Sequence, residues 1–304
     1  MDVNPAIEPW SRAELARRLA NASAMMGFMT DCVDAALLAS APALRVVACA
    51  LKGFDNYDVD ACTRAGVWVS IVPDLLTEPT AELAVGLGIG LARHLRHGDG
   101  LVRGGDFRGW RAQLYGTGLA GSTVAVVGLG AVGRAVVDRL QGFGCARVLG
   151  VDPATSDSRC IAAGLDDAAA QADYMFVTAP LMPASHHLVD AALLARAQPG
   201  MLLVNVGRGS VVDEAAVADA LAAGRLGGYA ADVFAFEDWA WQERPRDIPQ
   251  ALLSHPATLF TPHLGSAVRS VRLAIEHCAA DNILAVLQGH QPPQAINQPM
   301  LRVA

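Results

Sequence analysis

Charge is scarce in this chain and aromatic residues are scarcer. Of 304 residues, 17% are charged and 6% aromatic, against 53% hydrophobic. That balance excludes a disordered chain and predicts a well-filled core of Ala, Val and Leu, as in helix-covered parallel sheets. The net charge of −7 comes with no basic stripe, which argues against nucleic-acid binding but not against a local cationic pocket. No apolar run is long enough to span a bilayer, and the longest, residues 81–92, is broken by Glu82 and glycines. The opening "MDVNPAIEPW" lacks the basic-then-apolar order of a signal peptide. A soluble cytoplasmic protein without a membrane partner is expected. The six cysteines (32, 49, 62, 145, 160 and 278) show neither a CxxC pair nor metal-ligand spacing, so several read as small hydrophobes and no metal is expected.

The length suits two domains. Ser11, with Glu14 three residues on, predicts a capping box opening a helix over 11–25. Strands at "AMMGFM", "LRVVACAL" and "VWVSIV" alternate with helices at "DAALLASAP" and "VDACTRAG". This αβαβαβ order implies a parallel sheet. Thr77 or Thr80 begins a long helix to about residue 97, followed by a polar, glycine-rich connection through "GDGLVRGGDFRGWRAQLYGTG". A second series starts at 122, with strands at "STVAVVGLG", "ARVLGVD", "ADYMFVTA", "MLLVNV", "GGYAADVF" and "ATLFTPH". Helices are expected after the first of these, at 213–223 and at 267–288. The changes of character near 75 and 265 predict one domain inserted into another: residues 75–264 within a domain made of 1–74 and 265–304. The fold class is α/β, two Rossmann-like domains with parallel sheets.

"GLGAVG" at 128–133 directly follows an apolar strand and opens a helix. Gly128 permits the tight turn, Gly130 lets the backbone approach a pyrophosphate, and Gly133 lets helix pack on strand. The helix N-terminus offers unpaired N–H groups to phosphates. Asp152 ends the next strand at the spacing of a ribose-binding acid. Its charge repels a 2′-phosphate, and no cation follows it directly, so NAD is favoured over NADP. The alternative is an Asp that forms a turn before Pro153. Arg208, Glu237 and His263 each lie just after a strand end, where open α/β sheets bind ligands. They suit hydride transfer coupled to proton transfer. Histidine titrates near neutrality, a carboxylate beside it favours the imidazolium, and arginine holds an anion bidentately. Lys52 ends the apolar run "RVVACAL" and either snorkels or awaits an anion. His186–His187 has no acid or Cys partner at ligand spacing and reads as a solvent loop. His94 and His97 read as a solvated helix end, and Trp239, Trp241 and Phe236 as a lid or interface.

"GLGAVG", "NVGRGSVVDEAAVADAL", "GGYAADVFAFED" and "TPHLGS" together resemble the D-2-hydroxyacid dehydrogenase family over residues ~20–290. The resemblance implies NAD as cofactor and Arg208, Glu237 and His263 as catalytic residues. It places Gly128, Gly130, Ala131, Val132, Gly133, Asp152, Thr80, Pro180, Asp232 and His263 at the cofactor. "RVVACALKGFDNYDVDAC", "GWRAQLYGTGL", "FEDWA" and "TPHLGSAVRSVRLAIE" are similar to phosphite-oxidising members of the family. That implies phosphite as a small anionic substrate, a homodimer, and a substrate pocket of Lys52, Gly53, Met29, Arg208, Trp110, Tyr115, Ser266 and Arg272. A carbon 2-hydroxyacid dehydrogenase, reducing glyoxylate or hydroxypyruvate, uses the same Arg, Glu and His. An NAD-sensing interaction protein is the reading from another class. Before Ser11 the family carries an opening strand and helix, and "MDVNPAIEPW" contains no strand pattern, so either the start of the sequence is too late or the substrate domain is remodelled.

Overall fold

The computed structural model of the protein describes residues 1–238, 241 and 243–299; Trp239, one of the residues expected in a lid, lies outside them. Ser11 caps the first helix, its Oγ accepting from the Glu14 N–H at 3.3 Å, and α1 runs Arg12–Leu19. The reciprocal half of the expected capping box does not form. Glu14 turns instead to Arg17 at 2.7 Å and Arg18 at 2.5 Å, and those guanidiniums hold its carboxyl down to about 2. Then follow β1 (Ala24–Gly27), α2 (Ala35–Ala39), β2 (Val46–Cys49), α3 (Val59–Arg64) and β3 (Trp68–Ser70). Asp34 and Asp58 cap α2 and α3 by accepting the N–H groups of Leu37 and Ala61. The three strands form a parallel sheet in the order β1-β2-β3. β2 is buried along its whole length and stops at Cys49, so Lys52 sits in the loop beyond it.

The long helix α4 (Thr77–Ala92) ends earlier than expected. His94 takes a left-handed φ of 53°, which a helix cannot continue through, and α5 (Leu95–Arg103) starts afresh. The first part of the expected polar connection is therefore helical. β4 (Thr123–Val127), α6 (Ala131–Leu140), β5 (Arg147–Val151), β6 (Ile161–Ala162), α7 (Leu165–Ala169) and β7 (Tyr174–Val177) come next. They lead to α8 (Ala191–Arg196), β8 (Met201–Asn205), α9 (Glu214–Ala222), β9 (Leu226–Ala231), α10 (Gln250–Ser254) and β10 (Thr258–Phe260). The last helix, α11, spans Arg269–Leu287.

The chain divides into two compact units. One holds Met1–Leu76 and the chain from Val268 onward; the other holds Thr77–Asp238 and Glu243–Ala267. In the second, seven parallel strands run β10-β9-β8-β7-β4-β5-β6. The chain winds outward from β4 to β6, then returns to the other side of β4 to lay down β7. That reversal opens a crevice at the carboxyl ends of β4 and β7. Both faces of the sheet are buried, which is why its strands read as unbroken apolar runs. Alternate residues serve opposite cores: Val124, Val126, Tyr174 and Phe176 pack with Ala84, Leu91 and Val136 on one face. Ala125, Val127, Met175 and Val177 pack with Leu193, Val217 and Tyr229 on the other. In the smaller unit, Val47, Cys49 and Cys62 share a core, where burial pushes both thiols up to about 12. Among the described residues, no helix is long and apolar enough to cross a membrane.

Candidate active site

The glycine turn after β4 has three positions with three different surroundings. Gly128 has φ 91°, and a Cβ there would stand 2.8 Å from the Ala179 nitrogen, on the turn after β7. At Gly133 a Cβ would fall 1.9 Å from the Gly128 carbonyl oxygen, so only glycine lets α6 close on its own strand. At Gly130, the residue that opens α6, a Cβ would meet nothing within 4 Å. The space over Gly130 is where a pyrophosphate would approach, and the free N–H groups of α6, with Ala131 and Val132 in its first turn, face it. Thr178 ties the crevice together, its hydroxyl donating to the Gly128 carbonyl at 2.7 Å. Pro180 follows on the exposed rim.

Asp152, just beyond β5, is bound both to the glycine turn and to its own loop. Its Oδ2 accepts the Leu129 N–H at 2.8 Å, which binds it to the glycine turn. Its Oδ1 accepts from Ala154 at 2.9 Å and Thr155 at 2.8 Å, closing a turn at Pro153. Partial burial works to raise its pKa, but the three N–H donors outweigh it and hold the carboxyl below its ordinary value. Of about four acceptor sites on a carboxylate, three are taken, which leaves one and the negative charge for a ribose hydroxyl were a dinucleotide bound. A dinucleotide with an unphosphorylated ribose fits: open space at Gly130, donors at a helix start and an anionic carboxylate beyond.

Arg208, Glu237 and His263 follow β8, β9 and β10, which are neighbours in the sheet. Their loops are bound to one another. The buried Asn205 donates to the Arg208 carbonyl at 2.9 Å and accepts from Gly207 at 3.1 Å, shaping the turn that carries Arg208. Gly209 lies so close to Phe234 that a Cβ would sit 1.9 Å from the Phe234 carbonyl carbon. Ser210 donates its N–H to Asp238 at 2.6 Å across the same seam. Glu237 uses one oxygen to accept the Phe234 N–H at 2.7 Å. Its other oxygen lies 3.0 Å from the His263 Nδ1.

His263 has a left-handed φ of 56°, costly for a side chain of this size and held by its surroundings. Asp232 is the anchor. It accepts from Leu264 at 2.7 Å, Gly265 at 2.8 Å and the Thr261 hydroxyl at 2.6 Å, and its carbonyl accepts the His263 N–H at 2.9 Å. Burial raises the Asp232 carboxyl above its ordinary range, those donors only partly offsetting it. Thr80, buried on α4, faces Gly265 with its hydroxyl 3.0 Å from where a Cβ would be. Ser266 lies half-buried in the same loop.

The remaining expected pocket residues divide between the two units. In the smaller unit, Met29 and the Lys52–Gly53 pair follow the carboxyl ends of β1 and β2, and the Lys52 Nζ lies 3.7 Å from Asp74. Lys52 is also the only lysine of the chain. Arg272, in the first turn of α11, stacks its guanidinium 5.8 Å from the Phe28 ring centroid and lies 3.8 Å from Glu276. Trp110 and Tyr115 belong to the larger unit. They are 78% and 75% exposed. Tyr115 lines a groove with Gly200, Gly227 and Ala257, at the amino ends of β8 to β10, opposite the loops of Arg208, Glu237 and His263. His187 lies 3.9 Å from Asp213, and its ring stacks on His186 at 4.0 Å. Sequence reading missed the buried Asn205, Glu214 and Asp238. The one sign of them is a polar residue interrupting or closing an otherwise apolar run.

Comparison with known proteins agrees with this geometry. Residues 85–265 match the model of the D-isomer specific 2-hydroxyacid dehydrogenase NAD binding domain. The chain is 30% identical over 302 residues to a glyoxylate reductase of Pyrococcus furiosus, covering 96% of this chain and 87% of that enzyme. It is 36% identical over 291 residues to a D-3-phosphoglycerate dehydrogenase of Mycobacterium bovis, but spans only 53% of that protein. Among solved structures, the TT0316 protein of Thermus thermophilus superposes with a TM-score of 0.89 at 32% identity, covering 95% of this chain and 91% of that one. A D-lactate dehydrogenase of Aquifex aeolicus complexed with NAD and lactic acid shares the fold, with a TM-score of 0.83 at 22% identity, covering 94% of this chain and 90% of that one. With the glycine cradle, Asp152 and the Arg–Glu–His loops at the carboxyl edge of one sheet, the chain belongs to the D-isomer specific 2-hydroxyacid dehydrogenase family and is an NAD-dependent oxidoreductase of that kind.

Proposed function

We propose that the protein reduces a small 2-oxo acid of the glyoxylate or hydroxypyruvate class with NADH, and runs the reverse oxidation of the D-2-hydroxy acid. The observation that carries this reading is the 3.0 Å contact of Glu237 with His263 in loops tied to that of Arg208. The Pyrococcus relative named glyoxylate reductase supports the substrate class. Gly128, Gly130, Ala131, Val132 and Gly133 hold the pyrophosphate and Asp152 the ribose. Thr80, Pro180, Asp232 and His263 line the nicotinamide end. Bound NADH would supply the hydride, and bound NAD would take it in the reverse direction; the remaining work belongs to side chains. Arg208 clamps the substrate carboxylate with parallel N–H donors and sets the angle of its carbonyl. His263, protonated, gives its Nε2 proton to the carbonyl oxygen as charge develops there. Glu237 holds the ring through Nδ1 and stabilises its positive form.

Phosphite oxidation, the expectation from sequence, is the second reading. It is favoured by the cationic character of Lys52 and Arg208, since a small tetrahedral anion offers no apolar area to bind. In that reading His263 accepts the proton of the attacking water. Lys52→Ala is expected to raise KM for the anionic substrate and leave KM for NADH unchanged; equal effects would make Lys52 a structural partner of Asp74. Because it is the only lysine, substrate protection of its amine against acylation is readable on the one peptide that carries it.

A homodimer is part of the same proposal. Leu95, Val102, Phe107, Trp110, Leu114 and Tyr115 are all exposed along one segment, and exposed apolar side chains concentrated in this way mark an interaction surface. Light scattering should give twice the chain mass, and Trp110→Ala should shift it toward the monomer. A wild-type monomer would refute the dimer.

A further inference from the structure

Glu214 is a carboxyl group that the mechanism above leaves unused. It opens α9 directly behind the turn that carries Glu237, and it is only 5% exposed. Its Oε1 accepts the Ala235 N–H at 2.8 Å, while Glu237 itself accepts the preceding Phe234 N–H at 2.7 Å. Two carboxyl groups thus grip two successive N–H groups of one turn. The second oxygen of Glu214 is buried with no hydrogen-bond partner. Beyond its burial and the Ala235 N–H, the charges that act on Glu214 are those of Asp238, Glu237 and Asp213, with the buried Tyr229 hydroxyl also in its field. All of them are acids. A neutral amide would accept the Ala235 N–H equally well, without the cost of burying an unpartnered carboxyl oxygen among like charges. The carboxyl therefore does something that an amide cannot.

We propose that Glu214 is a positioning residue for the Glu237–His263 pair, fixing the turn that presents Glu237 and, when it ionises, placing a second negative charge behind the pair. The inference rests on reading Arg208, Glu237 and His263 as the catalytic residues. Burial pushes the Glu214 carboxyl up to about 7. Below that pH the group is a neutral clamp. Above it the added charge favours the protonated form of the pair, so the proton donor stays loaded to higher pH than it otherwise would.

The test is steady-state reduction of glyoxylate by NADH, from about pH 5.5 to about pH 9, for wild type, Glu214→Ala, Glu214→Gln and His263→Ala. Glu214→Ala is expected to lower kcat about tenfold or more, the usual consequence of a slightly misplaced catalytic group, with KM for NADH unchanged. Glu214→Gln is expected to recover most of kcat near pH 6. Its alkaline limb should move to lower pH by about half a unit or more, the effect of one lost charge in a half-buried site. A Glu214→Gln profile that superimposes on wild type overturns the charge role. Equal loss of kcat in the Ala and Gln variants overturns the clamp. If Glu214→Ala does not fold, the Gln profile alone decides. His263→Ala at wild-type kcat would instead sink the catalytic reading, and an inactive His263→Ala beside an unshifted Glu214→Gln sinks only the present proposal.

Discussion

Replacing Glu237 by Gln removes one negative charge and leaves the shape of the side chain. The amide oxygen can still accept the Phe234 N–H, so the turn stays folded. The amide NH₂ then faces the His263 Nδ1, donates to it, and stabilises the wrong tautomer. With Oε2 and Nδ1 3.0 Å apart, the charge centres of carboxylate and imidazolium stand about 4 Å apart. Their attraction is about 4 kcal/mol at an effective dielectric of about 20 and about 2 kcal/mol at about 40. The two side chains keep 30% and 19% of their exposure, so solvent screens them and the smaller figure applies. About 2 kcal/mol on the step that uses the protonated ring is ~30-fold in kcat. The assay is NADH-dependent glyoxylate reduction at saturating cofactor, with KM for NADH measured alongside. Glu237→Gln is expected to lose at least that factor in kcat with KM for NADH unchanged. A kcat within threefold of wild type would refute the coupling of Glu237 to His263.

The two glycines of the cradle should respond in opposite ways. Gly130→Val puts its side chain into open space, so the apo protein should melt as wild type while NAD affinity falls about tenfold or more; unchanged affinity would remove Gly130 from the phosphate site. Gly133→Ala forces a Cβ to 1.9 Å from the Gly128 oxygen and should cost stability before any cofactor is added, by about 1–3 kcal/mol. Asp152→Ala should shrink the NAD over NADP ratio of kcat/KM at least about tenfold, equivalent to ~1.4 kcal/mol of lost repulsion; an unchanged ratio would reduce Asp152 to its turn. For Glu214, the unfolded chain ionises near 4.5 and the folded chain near 7. The folded state therefore binds the extra proton, and this group's cost grows as pH rises between those values, reaching about 3 kcal/mol above them. Glu214→Gln should raise Tm at about pH 8 and leave it unchanged at about pH 4.5; the same difference at both would contradict the burial argument.

What was legible in the sequence was local. The strand, glycine turn and helix of 123–140 announce themselves because each glycine's duty is set by its immediate neighbours. The seven-strand order could not be read the same way. That β8, β9 and β10 lie side by side, and so bring Arg208, Glu237 and His263 to one edge, is a non-local fact that family resemblance conveyed and periodicity did not. Short elements such as β6, α7, α8 and α10 are too brief for a period to show. The break at His94 depends on one left-handed residue that no pattern marks. Glu14 looked like half of a capping box, but two arginines on its own helix compete for its carboxylate and win. Glu214 was missed because a glutamate in the first turn of a helix reads as a solvated favourable charge. Only packing against the Ala235–Glu237 turn reveals that it is buried. Trp110 and Tyr115 were expected near the reacting groups, yet within their own unit they stand exposed, Tyr115 at the amino ends of the strands.

The central claim is the reaction itself, and one comparison addresses it directly. NADH consumption with glyoxylate and hydroxypyruvate should be measured beside NAD reduction with phosphite, on the same preparation. A 2-oxo acid is expected to be reduced with the higher kcat/KM, and His263→Ala is expected to abolish the reaction. Efficient phosphite oxidation with no turnover of any 2-oxo acid would contradict that claim.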